Sequence, residues 1–341
     1  MSDNKPILGI TMGDPSGIGP EIAVKAMANK HVHDICRPLI VGDARVMEEA
    51  VKICKLDLAV RPITEVSEAK FEIGTMDIID LNDVDINKLK RGEVSAMSGK
   101  AAFEAVKKVI ELAMDKKVDV TITGPINKES INLAGYHYSG HTEIYAHYTN
   151  IKDYAMMLAD GNLRVVHVST HVSLRQACDL VKKDRVLKVI KLANDACIRI
   201  GIEKPRIAVA GLNPHAGENG MFGDEEIKEI IPAIEEARKL GITVNGPLPP
   251  DTVFSKARGG QYDIVVVMYH DQGHIPLKVV GFTYDQSKKE WNSVTGVNIT
   301  LGLPIIRVSV DHGTAFGHAG LGTANEQSLI NSIEYGVKLA E

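Results

Sequence analysis

Asp263-Ile-Val-Val-Val-Met-Tyr-His270-Asp271-Gln-Gly273-His274-Ile-Pro276-Leu-Lys278 is the stretch on which the reading of the fold turns. Its run of apolar and β-branched residues predicts a strand buried on both faces, as in a parallel sheet. The run stops at a His-Asp-Gln-Gly group, where the chain must turn. In open α/β sheets, ligands sit beyond the carboxyl ends of the strands. A strand running straight into His and Asp is therefore a candidate site. Alone, it reads equally well as a polar turn with one hydrogen-bonded histidine.

Outward from this stretch, apolar runs and amphipathic segments alternate. Strands are predicted at 7–11, 38–42, 118–123, 163–170, 206–210 and 305–310, with short strands between 57 and 90 and at 242–244. Helices are predicted at 22–28, 44–54, 99–116 (with Ser98 as N-cap), 184–200, 224–240 and 324–340. The alternation gives an α/β class: two α/β/α domains with mostly parallel sheets. The first domain is expected to take residues 1–125 plus 280–341, and the second 126–279. A polar insert at 283–295 interrupts the pattern before Gly296.

Composition excludes several functions. The 341 residues are 44% hydrophobic and carry a net charge of −5, which suits a globular protein without a basic footprint for nucleic acid. Four cysteines (Cys36, Cys54, Cys178, Cys197) stand well apart with no C-x-x-C pair, which points to a reducing compartment. The first residues lack the regions of a signal peptide, and no apolar run reaches membrane-spanning length. A cytoplasmic, soluble protein is expected.

Three predicted strands each deliver a histidine just beyond their carboxyl ends: His171, His215 and His270. In a parallel sheet such ends share one edge, so three imidazoles could converge as ligands to a borderline transition metal with a position left for substrate. Asp251 and Asp271 stand near such ends and could ligate or orient the histidines. Each histidine taken singly reads as an ordinary hydrogen-bonded residue. Lys128, Lys278 and Arg307 also lie at or beside these turns, a cation set suited to a phosphorylated, carboxylate-bearing substrate, with Arg307 placed for a bidentate grip. The glycine-rich segment 13–21 has neither the dinucleotide G-x-G-x-x-G spacing nor a Walker A lysine, and no G-x-S-x-G elbow is present.

Five segments occur together and in order: Gly13-Asp-Pro-Ser-Gly-Ile-Gly-Pro-Glu21, Ser139-Gly-His-Thr-Glu143, Gly211-Leu-Asn-Pro-His-Ala-Gly-Glu218, Tyr269-His-Asp-Gln-Gly273 and Gly296-Val-Asn-Ile-Thr-Leu-Gly-Leu-Pro304. In these the chain resembles, over nearly its whole length, the 4-hydroxythreonine-4-phosphate dehydrogenase family of vitamin B6 biosynthesis and its paralogues. That family is in turn similar to the isocitrate and isopropylmalate dehydrogenases, whose Gly-Asp-Gly-Ile-Gly-Pro-Glu start and His-Gly-Ser/Thr-Ala loop are echoed at 13–21 and 312–315.

The resemblance implies an NAD-dependent oxidation of a phosphorylated 3-hydroxy acid followed by decarboxylation. It implies that His171, His215 and His270 hold a divalent cation (Zn, Mg, Mn or Co), with Asp251 and Asp271 as acidic neighbours. His141, Thr142, Lys278, Asn298 and Arg307 would bind substrate, and His312, Gly313, Thr314 and Ala315 the adenosine part of NAD. It further implies a homodimer with shared active sites, His270 coming from the second subunit. Two departures, His274-Ile275 where the pyridoxine enzymes have Leu-Pro and the insert at 283–295, point to the paralogues that oxidise 4-phospho-D-threonate or 4-phospho-D-erythronate in sugar-acid catabolism. His318 also replaces a more usual residue of the cofactor loop. The alternatives are 4-phosphohydroxy-L-threonine oxidation in pyridoxal phosphate biosynthesis, a dehydrogenase for an unphosphorylated acid such as a cis-dihydrodiol carboxylate, and a non-catalytic phospho-ligand binding protein.

Overall fold

In the computed structural model, which describes residues 5–282, 284–285, 290–291 and 295–341, the expected alternation of strands and helices is present. The strands in chain order are β1 (Ile7–Thr11), β2 (Arg37–Gly42), β3 (Ala59–Ile63), β4 (Thr75–Asp80), β5 (Val120–Thr123), β6 (Ala155–Asp160), β7 (Leu163–His167), β8 (Ile207–Ala210), β9 (Val244–Leu248), β10 (Ile264–Val267), β11 (Tyr284–Asp285), β12 (Glu290–Trp291), β13 (Val297–Leu301) and β14 (Ile306–Val310). Two compact units form: Met1–Lys152 with Ser293–Val297 and Leu303–Ala340, and Asp153–Asn292 with Asn298–Gly302. Most of the insert at 283–295 falls outside the described residues.

In the first unit the strands run β3-β4-β2-β1-β5-β14, and every pair is parallel. The sheet has helices on both faces, as the alternation of side chains along β1 shows. A Cβ on Gly9 would meet Val109 of the helix Ala96–Met114, while Leu8, one residue away, lies under Gly336 of the helix Gln327–Ala340. Phe103, Val106 and Ile110 bury the inner side of Ala96–Met114, each worth roughly 1.5–3 kcal/mol on removal from water. Ser95, not Ser98, is the N-cap of that helix; its hydroxyl accepts from the Ser98 N–H at 3.1 Å. Two serines three residues apart offer the same capping signal, and the earlier one takes it. The short helices Lys128–Leu133 and His141–Thr149 pack onto the same core through Ile131, Ile144 and Tyr145. The unit therefore runs on to Lys152, past the expected limit at 125.

In the second unit the order is β13-β6-β7-β10-β8-β9. The pairs β7–β10, β10–β8 and β8–β9 are parallel, and β6–β7 is antiparallel. The helices Val253–Arg258 and His270–Gly281 cover one face, where Val165, Ala208, Val265 and Val267 meet Val253, Ala257 and Leu277. Strand β10 is buried throughout, as its composition predicts. Among the described residues no helix is long and apolar enough to cross a membrane.

Candidate active site

The first unit gathers polar side chains around β5 and β14. Arg307, the second residue of β14, is 2% exposed. Its Nη2 donates to Thr123 Oγ1 at 3.0 Å, and its guanidinium lies 5.6 Å from the Tyr145 ring centre, in cation–π range. Burial lowers the Arg307 pKa to about 10, still well above neutrality, and raises the Tyr145 hydroxyl to about 12. His141 opens the helix His141–Thr149 against Gly124. Burial first, and the Arg307 charge second, hold it well below the usual imidazole range, so the ring is neutral. Its Nε2 is buried with no hydrogen-bond partner. Thr142 follows on the same turn, half-buried.

The two segments that echo the cofactor loops also meet in this unit. The Ile18 N–H donates to the Thr314 carbonyl at 3.0 Å. A Cβ on Gly17 would stand 2.9 Å from Thr314, so only glycine admits this approach. Glu21 accepts from the Gly320 N–H at 2.5 Å, and Lys25 donates to the Gly322 and Ala324 carbonyls. Ala315 takes a left-handed conformation (φ 43°) and turns the chain, while His312 Nδ1 lies 3.0 Å from the Gly313 carbonyl. His318 ends the short 3-10 turn Phe316–His318.

The second unit holds the histidines. His270 opens the helix His270–Gly281 directly after β10; the expected polar turn is that helix's first turn. Its Nδ1 lies 2.7 Å from Asp271 Oδ1. A carboxylate only accepts, so Nδ1 carries a proton, and in the neutral ring Nε2 then presents the lone pair that a metal ligand needs. The His171 ring centre is 5.8 Å from that of His270. His167, the last residue of β7, and His274, one turn on from His270, join them. Ring centres are 4.8 Å apart for His167–His274 and 3.6 Å for His270–His274. His167 is fully buried with Nδ1 bonded to the Met156 carbonyl, and burial lowers its pKa to about 3. A Cβ on Gly273 would fall 2.6 Å from His167 Nε2, so glycine lets the helix start against the end of β7.

His215 stands apart from these rings, 6.3 Å from the Phe222 ring centre, and among the described residues no group of three or more acidic, Cys or His side chains is placed to hold a metal ion. Its loop explains the placement. His215, Ala216, Gly217, Glu218 and Asn219 are consecutive residues with positive φ, a left-handed turn. Glu226 holds it: its buried Oε1 accepts from the Leu212 and Asn213 N–H groups at 2.7 and 2.8 Å, and its Oε2 accepts from Asn213 Nδ2 at 2.9 Å. Gln272 ties this loop to the His270 helix, accepting from the Met268 N–H and donating to the Gly211 carbonyl, both at 2.7 Å. Asp251 lies exposed before the helix Val253–Arg258. Lys278 sits 4.6 Å from the Phe282 ring centre, and Asn298 Oδ1 is buried with no hydrogen-bond partner. Tyr145, Gln272 and Glu226 had no local sequence signal; the His-x-x-x-His spacing of 270 and 274 did carry one.

The donor set fits a divalent cation in part. His171 and His270 are neighbours within one chain and His270 has the right tautomer; His215 is not with them. Residues 34–336 match the family model described as "Pyridoxal phosphate biosynthetic protein PdxA". A Clostridium botulinum protein named "Putative D-threonate 4-phosphate dehydrogenase" is 46% identical, the alignment covering 99% of this chain and 98% of that one. An Oceanobacillus iheyensis protein of the same name is 48% identical, with 98% of each chain covered. A 4-hydroxythreonine-4-phosphate dehydrogenase from Klebsiella pneumoniae superposes with a TM-score of 0.87 at 44% identity over 100% of this chain and 99% of that chain. A terephthalate 1,2-cis-dihydrodiol dehydrogenase from Burkholderia xenovorans does so with 0.69 at 30%, over 98% of each.

Proposed function

The chain belongs to the pyridoxal phosphate biosynthetic protein PdxA family, and on that premise we propose that it is an NAD-dependent, divalent-metal-dependent oxidoreductase. It oxidises 4-phospho-D-threonate or 4-phospho-D-erythronate at the 3-hydroxyl, and the resulting 3-keto acid loses CO2 to leave dihydroxyacetone phosphate. The observation that carries this reading is His270: its ring lies beside His171 and its Nδ1 is held by Asp271, so Nε2 is prepared as a ligand. NAD, if bound, would supply the hydride acceptor, and a divalent cation held by His171 and His270 would supply Lewis-acid polarisation of the substrate hydroxyl and charge stabilisation as CO2 leaves.

The chain's own residues do the rest. Arg307, protonated and buried, holds the substrate's anionic end in a place from which water is excluded. Neutral His141, whose ring donates to Gly124, offers its unpartnered Nε2 as acceptor to a substrate hydroxyl, and Thr142 offers its hydroxyl. Lys278 and Asn298 supply a further cation and a further polar contact. Binding energy from the phosphate end, remote from the reacting carbon, orients that carbon. The loop of His312, Gly313, Thr314 and Ala315, braced on Ile18, holds the adenosine of NAD. The enzyme works as a homodimer with shared active sites, in which the second copy brings a histidine to the His171–His270 pair that this chain forms by itself. The outward stripe Ile275, Val279 and Phe282 beside His270, exposed in the single chain, supports this. We place the enzyme in the cytoplasm, with its cysteines free.

A substrate panel tests the reading. NADH formation is expected with 4-phospho-D-threonate or 4-phospho-D-erythronate at about tenfold or more the kcat/KM for 4-phosphohydroxy-L-threonine, a gap of about 1.4 kcal/mol. EDTA is expected to abolish turnover, and a divalent cation to restore it. Preference for 4-phosphohydroxy-L-threonine would transfer the protein to the pyridoxine reaction. Turnover of a cis-dihydrodiol carboxylate unaffected by inorganic phosphate would replace the phosphorylated substrate. Binding of phosphate esters with no NADH from any acid would sink the enzyme altogether.

A further inference from the structure

We propose that His274 is a positioning residue, which by stacking on the His270 ring fixes the plane from which His270 meets a divalent cation. The inference rests on the reading of His270 as a ligand and adds a residue to it. His270 and His274 are four apart on one helix, where side chains at that spacing lie one above the other. Their rings are parallel to within 11° and 3.6 Å apart between centres. His274 is itself anchored: its Nδ1 lies 3.0 Å from the His270 carbonyl, an acceptor, so the ring donates there and is tied to the backbone of the residue it supports. Behind it, at 4.8 Å, stands the fully buried ring of His167, pinned by Met156.

Without this stack the orientation of His270 would depend on Asp271, whose side chain is 68% exposed. A hydrogen bond to so exposed a partner competes with water and leaves the ring free to swing about its first torsion. A parallel ring against one face removes that freedom before the cation arrives. Residues that orient ligands in this way change metal affinity about 10- to 100-fold when lost. Gly273 and Gln272 complete the arrangement, one by letting the helix approach His167 and the other by pinning its first turn to Met268 and Gly211.

The test is cation affinity measured without turnover, on full-length protein titrated with Zn2+ or Co2+ against a chromophoric chelator. Wild type is expected to bind the cation, H274L to bind it about tenfold more weakly, and H274F, which keeps a flat ring on His270, to stay within about threefold of wild type. Unchanged affinity in H274L would overturn the inference and leave the proposed reaction standing, as would equal losses in H274L and H274F. A wild type that takes up no divalent cation would overturn both. A thermal midpoint accompanies each titration; should H274L not fold, H274N, which also lacks a ring, replaces it with the same two outcomes.

Discussion

Arg307 and His141 in the first unit, and His215 and His270 in the second, are the residues we propose as ligand contacts, and their settings carry different costs. For the first pair the cost is electrostatic: the Arg307 guanidinium is taken out of water on a parallel strand, and the buried Nε2 of His141, at the start of a helix, is left without a partner. The histidines of the second unit are largely half-exposed, and there the cost lies in the backbone. Four non-glycine residues of the His215 loop hold positive φ, at roughly 1–2 kcal/mol each for an ordinary side chain and less for asparagine. A buried charge is costly to desolvate. A strained loop puts a side chain where regular structure would not.

The sharpest way to break this comparison is Arg307→Met. If the guanidinium is buried for its ligand and not for the fold, kcat/KM should fall about 1000-fold, near 4 kcal/mol, which is the scale of removing one partner of a buried charge pair. The thermal midpoint should hold or rise, because an apolar chain of similar length replaces a desolvated cation. A variant that unfolds while the surviving folded fraction keeps its activity would make Arg307 a structural residue.

Glu226→Ala probes the other side, with a smaller effect. It removes the acceptor of the Leu212 and Asn213 N–H groups and should cost about 2–4 kcal/mol, at about 1–2 kcal/mol for each group left unsatisfied. The loss should be local. Amide exchange should accelerate over residues 212–222 while β1, β2 and β5 keep their protection, and turnover should fall as the His215 loop opens. Uniform acceleration in both units would deny that Glu226 clamps a strained loop.

Much of this was legible in the chain, and the failures have physical causes. The buried run before His270 identified β10, and glycines at 13, 17 and 19 located the loop that meets Thr314. The sequence also placed His171, His215 and His270 just past strand ends. It could not show that His215 leaves the others, because a left-handed turn through Pro-His-Ala-Gly-Glu-Asn is stabilised by Glu226, eleven residues further on. The run Ala155-Met-Met-Leu-Ala-Asp160 is as apt for a helix as for a strand, and its antiparallel pairing with β7 settles the matter only in three dimensions. Arg307 sits on alternating β14, where period-two reading makes Arg307 and Ser309 the solvent face; the structure buries that face too.

Asp14, in the loop that meets Thr314, carries the smallest predicted effect and shows the electrostatic cost most directly. Burial pushes its carboxyl up to about 6, against the Ser16 N–H, the Ser130 hydroxyl and the Asn127 backbone, which favour the anion. In the unfolded chain it titrates near 3.9. Between those values the native state binds the proton that the unfolded state has released. The stability Asp14 contributes is therefore fully present below about pH 4 and lost as the pH rises through 6. Two pH units of difference correspond to about 2–3 kcal/mol at neutral pH. Asp14→Asn keeps the acceptor for Ser16 and removes the charge. Denaturation midpoints should favour the variant by about that amount at pH 7.5, by about half of it at pH 5, and by almost nothing at pH 4. Asp83, which burial also raises to about 6, titrates alike in both proteins and cancels from the difference. An advantage of constant size across that range would mean that the introduced amide packs better and that the Asp14 charge is not what the fold resists.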